Sequence, residues 1–218
     1  MTRVQLDERV AAIAGALDVP VDRTLVLVSH VIVTQMLPEG ALVKGGIGMK
    51  LRLGEVGTRA TKDMDLVARD RPDFLAGLNQ KLQVGWGTVP ASKGALRKNP
   101  DAPPRLAFSG QARPDKQAQP DGVSTDYLMD PYSVTLHFMG TPWKRVPVEV
   151  GHDEIGGLEH ADYPTGVADQ IAAIGRVLCF GDLAPVPLIS LEQQIAQKIH
   201  AVTEPNSQRA QDLVILLT

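Results

Sequence analysis

Apolar side chains recur at helical spacing from the start of the chain. Leu6, Val10, Ile13 and Leu17 predict an amphipathic helix over Gln5 to Leu17. Pro20 punctuates it, and a more apolar helix follows over Arg23 to Met36, closed by Leu37-Pro38-Glu39-Gly40. Ala41-Leu42-Val43 then reads as a short strand ending at Lys44. The chain turns at Gly45-Gly46, continues as a short helix over Met49 to Leu53, and enters a second strand over Asp63 to Val67. Pro72 opens a helix through Leu82, since proline is tolerated in a first helical turn.

From Gly85 to Thr125 the periodicity fades. The stretch is rich in Pro, Gly, Gln and Asp, with one plausible strand at Arg105 to Phe108. It reads as a long, partly mobile excursion from the sheet, of the kind that is often functional. Alternation returns in Ser133 to Phe138 and Arg145 to Val150, two strands of a hairpin around Gly140-Thr141-Pro142. Beyond Gly151 the character changes again. Asp153 to Thr165 reads as loop and Val167 to Ile174 as a short helix. Ser190 is a good N-cap for a helix running to about Thr203. Pro205-Asn206 breaks that helix, and a last one begins near Ser207.

The 218 residues suit one compact domain or two small lobes. One cysteine, Cys179, precludes an internal disulfide and fits a reducing compartment. Its neighbours Val177, Leu178 and Phe180 favour a buried, inert thiol over a nucleophile. Met1 to Val10 lacks the apolar segment of a signal peptide, and Val26 to Val33 is too short to span a bilayer. A cytoplasmic protein with no membrane partner is expected. The net charge of −3 argues against a chain basic all over, though not against a local basic patch.

Candidate chemistry concentrates around the glycine turn. Asp63 and Asp65 stand at i and i+2 of the expected strand and project from one face. Two carboxylates so placed can share a hard divalent cation such as Mg2+. A double-glycine turn lets backbone N–H groups approach an anion closely. Singly, each feature has an ordinary reading as a turn or a solvated acid pair. In this order they suit a metal-bound nucleoside triphosphate. Lys44 either faces phosphate or is merely solvated at a strand end. Arg59 either contacts phosphate or ties the turn to the strand, and Thr61 bonds backbone in the same loop. Glu149 is the acid on a neighbouring strand, either a third metal ligand or a surface acid on an edge strand, which Pro147 would suit.

The run Arg59-Ala60-Thr61-Lys62-Asp63-Met64-Asp65-Leu66, set behind Gly45-Gly46, resembles the motif of the AbiEii nucleotidyltransferase family, which includes MenT-type toxins of toxin–antitoxin systems. A second block, Gln197-Lys198-Ile199-His200-Ala201 and Arg209-Ala210-Gln211-Asp212-Leu213, resembles that family's C-terminal helical pair. The resemblance implies an α/β fold. Residues 1–150 would form a nucleotidyltransferase core with a mixed sheet and N-terminal helices. Residues 151–218 would form a mainly helical lobe closing the active site.

It also implies that Lys198 and Asp212 join Asp63 and Asp65 as catalytic residues, and that Lys44, Gly45, Gly46, Arg59 and Lys198 bind nucleotide. Asp63, Asp65 and Glu149 would hold Mg2+ or Mn2+. The plainer alternatives are a Lys198 snorkelling from a half-buried helix and an Asp212 ion-paired with Lys198 or Arg209. Arg209 itself reads as a structural bridge between the last helices. Two departures stand out. Ile47 follows the glycines where many nucleotidyltransferases carry Ser or Thr, and Ile215 replaces a further Asp. Family helices also continue beyond the equivalent of Thr218, which suggests a natural short form or a truncated chain.

The implied substrate is an NTP, with a pyrimidine preference for CTP or UTP. The implied acceptor is the 3′ end of tRNA, with translation blocked as the result and a cognate antitoxin as protein partner. Independently, Lys93, Arg97, Lys98, Arg105, Arg113 and Lys116 outnumber Asp101 and Asp115 across the excursion, which suits either a phosphate backbone or simple solubility. Alternatives are a nucleotidyltransferase acting on a small molecule or a protein, the former suggested by Asp153, Glu154, Glu159 and Asp162, and a catalytically inactive binding partner. His152 and His160 are a weak zinc possibility against solvated loop, His30 and His200 read as packing residues, and Trp86 and Trp143 as loop anchors or base-stacking platforms.

Overall fold

The computed structural model describes residues 1–55, 61–69, 71–116, 128–151 and 169–203. The chain opens with α1 (Arg3–Leu17) and α2 (Val21–Thr34), both close to their expected spans. A reciprocal capping box starts α1. The Gln5 amide N–H donates to Thr2 Oγ1 at 3.3 Å and the Thr2 N–H to Gln5 Oε1 at 2.8 Å. Leu6, Val10, Ile13 and Ala14 form its buried face. Strand β1 (Ala41–Val43), helix α3 (Gly45–Leu53), strand β2 (Met64–Ala68) and helix α4 (Arg71–Val84) follow. The glycines are the first turn of α3 rather than a separate turn before it.

The stretch expected to be an excursion from the sheet is part of it. It holds β3 (Trp86–Val89), α5 (Lys93–Lys98) and the long strand β4 (Arg105–Pro114). Gly85 and Gly87 carry positive φ there, and a side chain at either would run into Phe108 or Phe180. Those glycines therefore mark close packing, not a loop. Residues 117–127 lie outside the described structure.

The hairpin is present, longer than expected, as β5 (Asp130–Phe138) and β6 (Thr141–Gly151). The six strands are ordered β1-β2-β6-β5-β4-β3. The β2–β6 pair is parallel and the others antiparallel, so the sheet is mixed and the fold α/β, as expected. Strand β6 is therefore internal, and the edge-strand reading of Glu149 is wrong. Pro147 is accommodated because β2 joins β6 only from Val148 onward. At Pro147 the strand has β5 alone beside it, opposite Ser133.

Both sheet edges are covered. The Val43 N–H donates to the Pro187 carbonyl at 2.7 Å, and the Ile189 N–H to the Val43 carbonyl at 3.1 Å. On the far edge the Thr88 N–H donates to the Phe180 carbonyl at 2.7 Å. Edge N–H groups satisfied in this way do not recruit another chain. Helix α4 is fastened to β4 by Asn79, which exchanges two hydrogen bonds with the backbone of Ala112, at 2.8 and 3.1 Å.

Helix α6 (Asp169–Leu178) packs on α1, where the Arg9 guanidinium donates to the Leu178 carbonyl. Cys179 is exposed, not buried as expected. It leaves α6 with φ 53, which turns it outward while Phe180 takes the buried position. Helix α7 (Leu191–Thr203) begins at the expected cap, with the Gln193 N–H on Ser190 Oγ at 3.2 Å. The expected loop at Asp153 to Thr165 and the last helix from Ser207 lie outside the described residues.

One large apolar cluster runs from Leu6 through the sheet to Leu188. Met64 and Leu66 belong to it, whereas Leu42, Val67 and Ile189 form a small cluster apart. Side chains alternate along a strand. Asp65 therefore faces away from the main core, on the same side of β2 as Val67.

Candidate active site

Asp65 of β2 is the register partner of Glu149 on the parallel strand β6. Partners on adjacent strands project from the same face, so the two carboxylates are neighbours. Asp63 lies just before β2 and is exposed. The Thr61 hydroxyl donates to its carbonyl at 3.4 Å, the expected local bond.

The start of α3 is laid directly on these acids. The Lys44 N–H donates to the Asp65 carbonyl at 2.9 Å. Gly45 then takes φ +65, and a Cβ there would occupy the position of the Asp65 carboxylate. No residue but glycine meets both conditions. At Gly46 a Cβ would stand 3.1 Å from Thr61 Oγ1. Lys44 is the N-cap of α3, and its side chain makes no capping bond. The first-turn amides, which have no intrahelical acceptor, are thus left without a side-chain cap beside two carboxylates and a lysine.

Burial and like charge set the electrostatics. Burial first, then Glu149, with a smaller push from Asp63, raises Asp65 to about 6, against the opposing pull of Lys44 and Lys198. Glu149 is also raised, by burial and by Asp63, with Lys44 opposing. Lys44 Nζ reaches the end of β6, 3.0 Å from where a Gly151 Cβ would stand.

Lys198, half-buried on α7, is remote in sequence from the strand acids yet close enough for its charge to favour ionised Asp65. The structure thus brings Lys44, Gly45, Gly46, Asp63, Asp65 and Glu149 into one neighbourhood, which the charge of Lys198 reaches. Arg59, Arg209 and Asp212 lie outside the described residues, as do His152, His160 and the acidic cluster from Asp153 to Asp162.

The donor set is suited to a hard cation, because its carboxylate oxygens repel one another and a divalent ion would relieve that repulsion. Among the described residues, however, no three Asp, Glu, His or Cys side chains already form a closed metal-binding group. The acids act on one another across the site without meeting at one point.

Ile47 is fully buried in the main core. The position held by Ser or Thr in many nucleotidyltransferases is used here for packing. Trp86 and Trp143 are anchors in an aromatic cluster, with ring centroids 6.1 and 5.4 Å from that of Phe108.

Two features were not foreseen. Gln194 of α7, 2 % exposed, donates through Nε2 to the Gly45 carbonyl at 2.6 Å. Its place one turn before Lys198 is a signal that sequence could have supplied. Beneath α3, the fully buried Glu55 pairs with Lys50 at 2.7 Å and with Arg23 of α2. Nothing in the pattern around Glu55 distinguishes it from a surface acid.

A sheet-borne acid pair under a glycine-started helix, faced by a lysine from a C-terminal helix, is an arrangement suited to nucleotidyl transfer. Residues 27–214 match the family described as nucleotidyl transferase AbiEii toxin, type IV toxin–antitoxin system, and the chain belongs to that family. No curated protein sequence matches it.

Among solved structures it is similar to MenT4, a nucleotidyltransferase toxin from Mycobacterium tuberculosis H37Rv. Identity is 18 %, with 91 % of this chain and 58 % of that one covered and a TM-score of 0.47. A protein from H. pylori provisionally assigned as a nucleotidyltransferase is 13 % identical, with 85 % of this chain and 62 % of that one covered and a TM-score of 0.45. The chain thus spans about three fifths of the length of each. Both likenesses are distant, and the family rests on the match over residues 27–214. Among the described residues no helix is long and apolar enough to cross a membrane.

Proposed function

We propose that this protein is a metal-dependent nucleotidyltransferase toxin that moves a nucleoside monophosphate from an NTP to the 3′ acceptor end of tRNA and so blocks translation. The observation that carries the reading is the Gly45 backbone seated on Asp65, with Glu149 in register beside it and the charge of Lys198 reaching the same carboxylate. In this scheme the first-turn amides of α3 and Lys198 hold the triphosphate. Lys44 adds positive charge at the strand ends. Asp65, Glu149 and Asp63 would hold Mg2+ or Mn2+, which when bound neutralises charge on the triphosphate and activates the attacking hydroxyl. Asp65 and Asp63 orient that hydroxyl. From the family motif we add Asp212 as a further catalytic carboxylate and Arg59 as a phosphate contact, with residues 151–218 as the lobe that closes over the site.

The acceptor reading draws on the family and on the position of the basic residues. Lys93, Arg97 and Lys98 lie on α5 beside β3, four strands away from β2. At the usual strand spacing β3 is about 20 Å from β2 along the sheet. A stem of nucleic acid can touch both places, whereas a small acceptor cannot. To this reading belong a preference for CTP or UTP, a cognate antitoxin partner and a cytoplasmic location, with the toxin–antitoxin family as their support.

The test is transfer of label from each of the four NTPs to total tRNA, to protein and to small hydroxyl acceptors, with Mg2+ and with a chelator. Label should appear at tRNA 3′ ends, most from CTP or UTP, and only with metal. Asp65→Ala should lower the rate roughly a thousandfold or more. Transfer unaffected by Asp65→Ala would exclude this site, and label moving only to protein or to a small molecule would replace the acceptor.

A further inference from the structure

Helix α7 carries Lys198 to the strand acids, so something must fix how far along and around the site that helix sits. Lysine is a poor fixing element, being a flexible stem with a point charge. Gln194 is better suited. It is one helical turn before Lys198, and side chains at i and i+4 share a face. Its side chain is 2 % exposed, and its Nε2 donates to the Gly45 carbonyl at 2.6 Å.

The same amide packs on the next residues of α3. A Cβ at Gly48 would stand 3.5 Å from Nε2 and 3.6 Å from Oε1. Gln194 therefore grips the backbone whose other side rests on Asp65. One buried side chain joins the acid-bearing strand, the glycine turn and the lysine-bearing helix.

We infer that Gln194 is a positioning residue, setting Lys198 against the Gly45-Gly46 turn so that both meet one triphosphate; its link to the triphosphate rests on the function proposed above. Gln194 acts through Lys198 and the turn, and need not touch the nucleotide.

Gln194→Leu keeps the volume of the side chain and removes its donor, leaving the Gly45 carbonyl buried without that partner. Two measurements on the full chain test the role. In amide hydrogen exchange without nucleotide, the variant should expose the first turn of α3 and the segment of α7 around Lys198, while α1 and β4 keep their protection. In NTP binding with metal, affinity should fall about tenfold. In a Lys198→Met background the same change should cost much less, because Gln194 then has no lysine left to position.

Equal losses in both backgrounds, or exchange unchanged at α3 and α7, would overturn the inference. Exchange raised uniformly over the molecule would also overturn it, by showing a general stability role. A wild-type protein that binds no NTP while the local exchange effect remains would discard the function and keep the clamp.

Discussion

The two halves of the sheet are built on opposite principles. At the β4–β3 end, Phe108 is the hub of an aromatic cluster. Its ring centroid lies 5.3 Å from that of Phe138, 5.4 Å from Trp143 and 4.9 Å from Phe180, the last edge-on. The rings there gain from burial, although the Trp143 indole Nε1 is buried with no hydrogen-bond partner among the described residues. At the β1–β2–β6 end, burial falls on Asp65, Glu149, Lys50, Glu55 and His30. Burying such groups opposes stability unless each finds a partner. Lys50 and Glu55 have one another, although burial still lowers the Lys50 pKa. Asp65 and Glu149 instead repel each other. His30, 1 % exposed, has the backbone of Lys62 acting against the cost of its burial, and burial still prevails. One end supplies stability, and the other spends some of it on a charged site that a ligand can relieve.

The largest effect that would sharpen this contrast is on the aromatic side. Phe108→Ala removes the hub of the cluster and should cost roughly 3–5 kcal/mol of folding stability. Chemical denaturation would show it as a fall in midpoint. Folded variant molecules should still bind nucleotide, because the acids and the glycine turn are carried by other strands. A variant that loses binding while still folded would show that the two ends are not separable.

A somewhat smaller effect should appear with pH, with opposite signs for two residues of the charged end. Asp65 is raised from 3.8 to about 6. Its folded form holds a proton more readily than its unfolded form, so its burden on stability disappears as pH falls from about 6 to below 4. His30 is lowered from 6.5 to about 4, burial being the main cause. It must stay neutral to remain buried, so stability is lost as pH falls from 6.5 to 4. Each shift is about 3 kcal/mol across its window. The wild type, in chelator, should therefore vary little between pH 4 and 6.5 on account of these two groups. Asp65→Asn should make the protein lose stability steeply over that range, and His30→Phe should make it gain. Matching slopes for both variants and the wild type would show that neither side chain is buried as described.

How far the site could be read in the sequence differs between the two ends. The glycine turn and the acid pair were legible because each is a short motif whose chemistry dictates spacing, whereas Lys198 was pointed to only by the resemblance to the family. The helices α1 and α2 and the β5–β6 hairpin were legible from periodicity. The β3–α5–β4 segment was not. Its glycines and prolines imitate a loop, and only the positions of Phe108 and Phe180 reveal that Gly85 and Gly87 permit close contact. Glu149 stayed open between a metal ligand and an edge-strand acid because Pro147 alone does not show that β2 enters one residue later. Cys179 was judged by its apolar neighbours, yet a left-handed residue at the end of α6 points it outward. For the glycines and Glu149 the missing information was a contact between residues remote in sequence, and for Cys179 it was a local backbone turn.

The smallest expected effect concerns the reach from one end to the other. Lys93, Arg97 and Lys98 are on α5, which follows β3, the strand at the opposite edge of the sheet from β1. If an RNA acceptor crosses the sheet, these cations release counterions from its phosphates on binding. Replacing all three with Gln should weaken tRNA binding modestly at moderate salt and reduce the slope of log K against log salt by about 2 to 3. NTP binding should be unchanged, because Gly45, Asp65 and Lys198 are untouched. The separation of β3 from β2 in the sheet also gives a control. A short oligonucleotide bearing only the 3′ end should be insensitive to the triple change, since it is too short to span about 20 Å from β2 to β3. Equal sensitivity for short and long acceptors would mean that α5 acts near the chemistry, and the same salt slope for wild type and variant on full tRNA would mean that α5 is only a solvated surface.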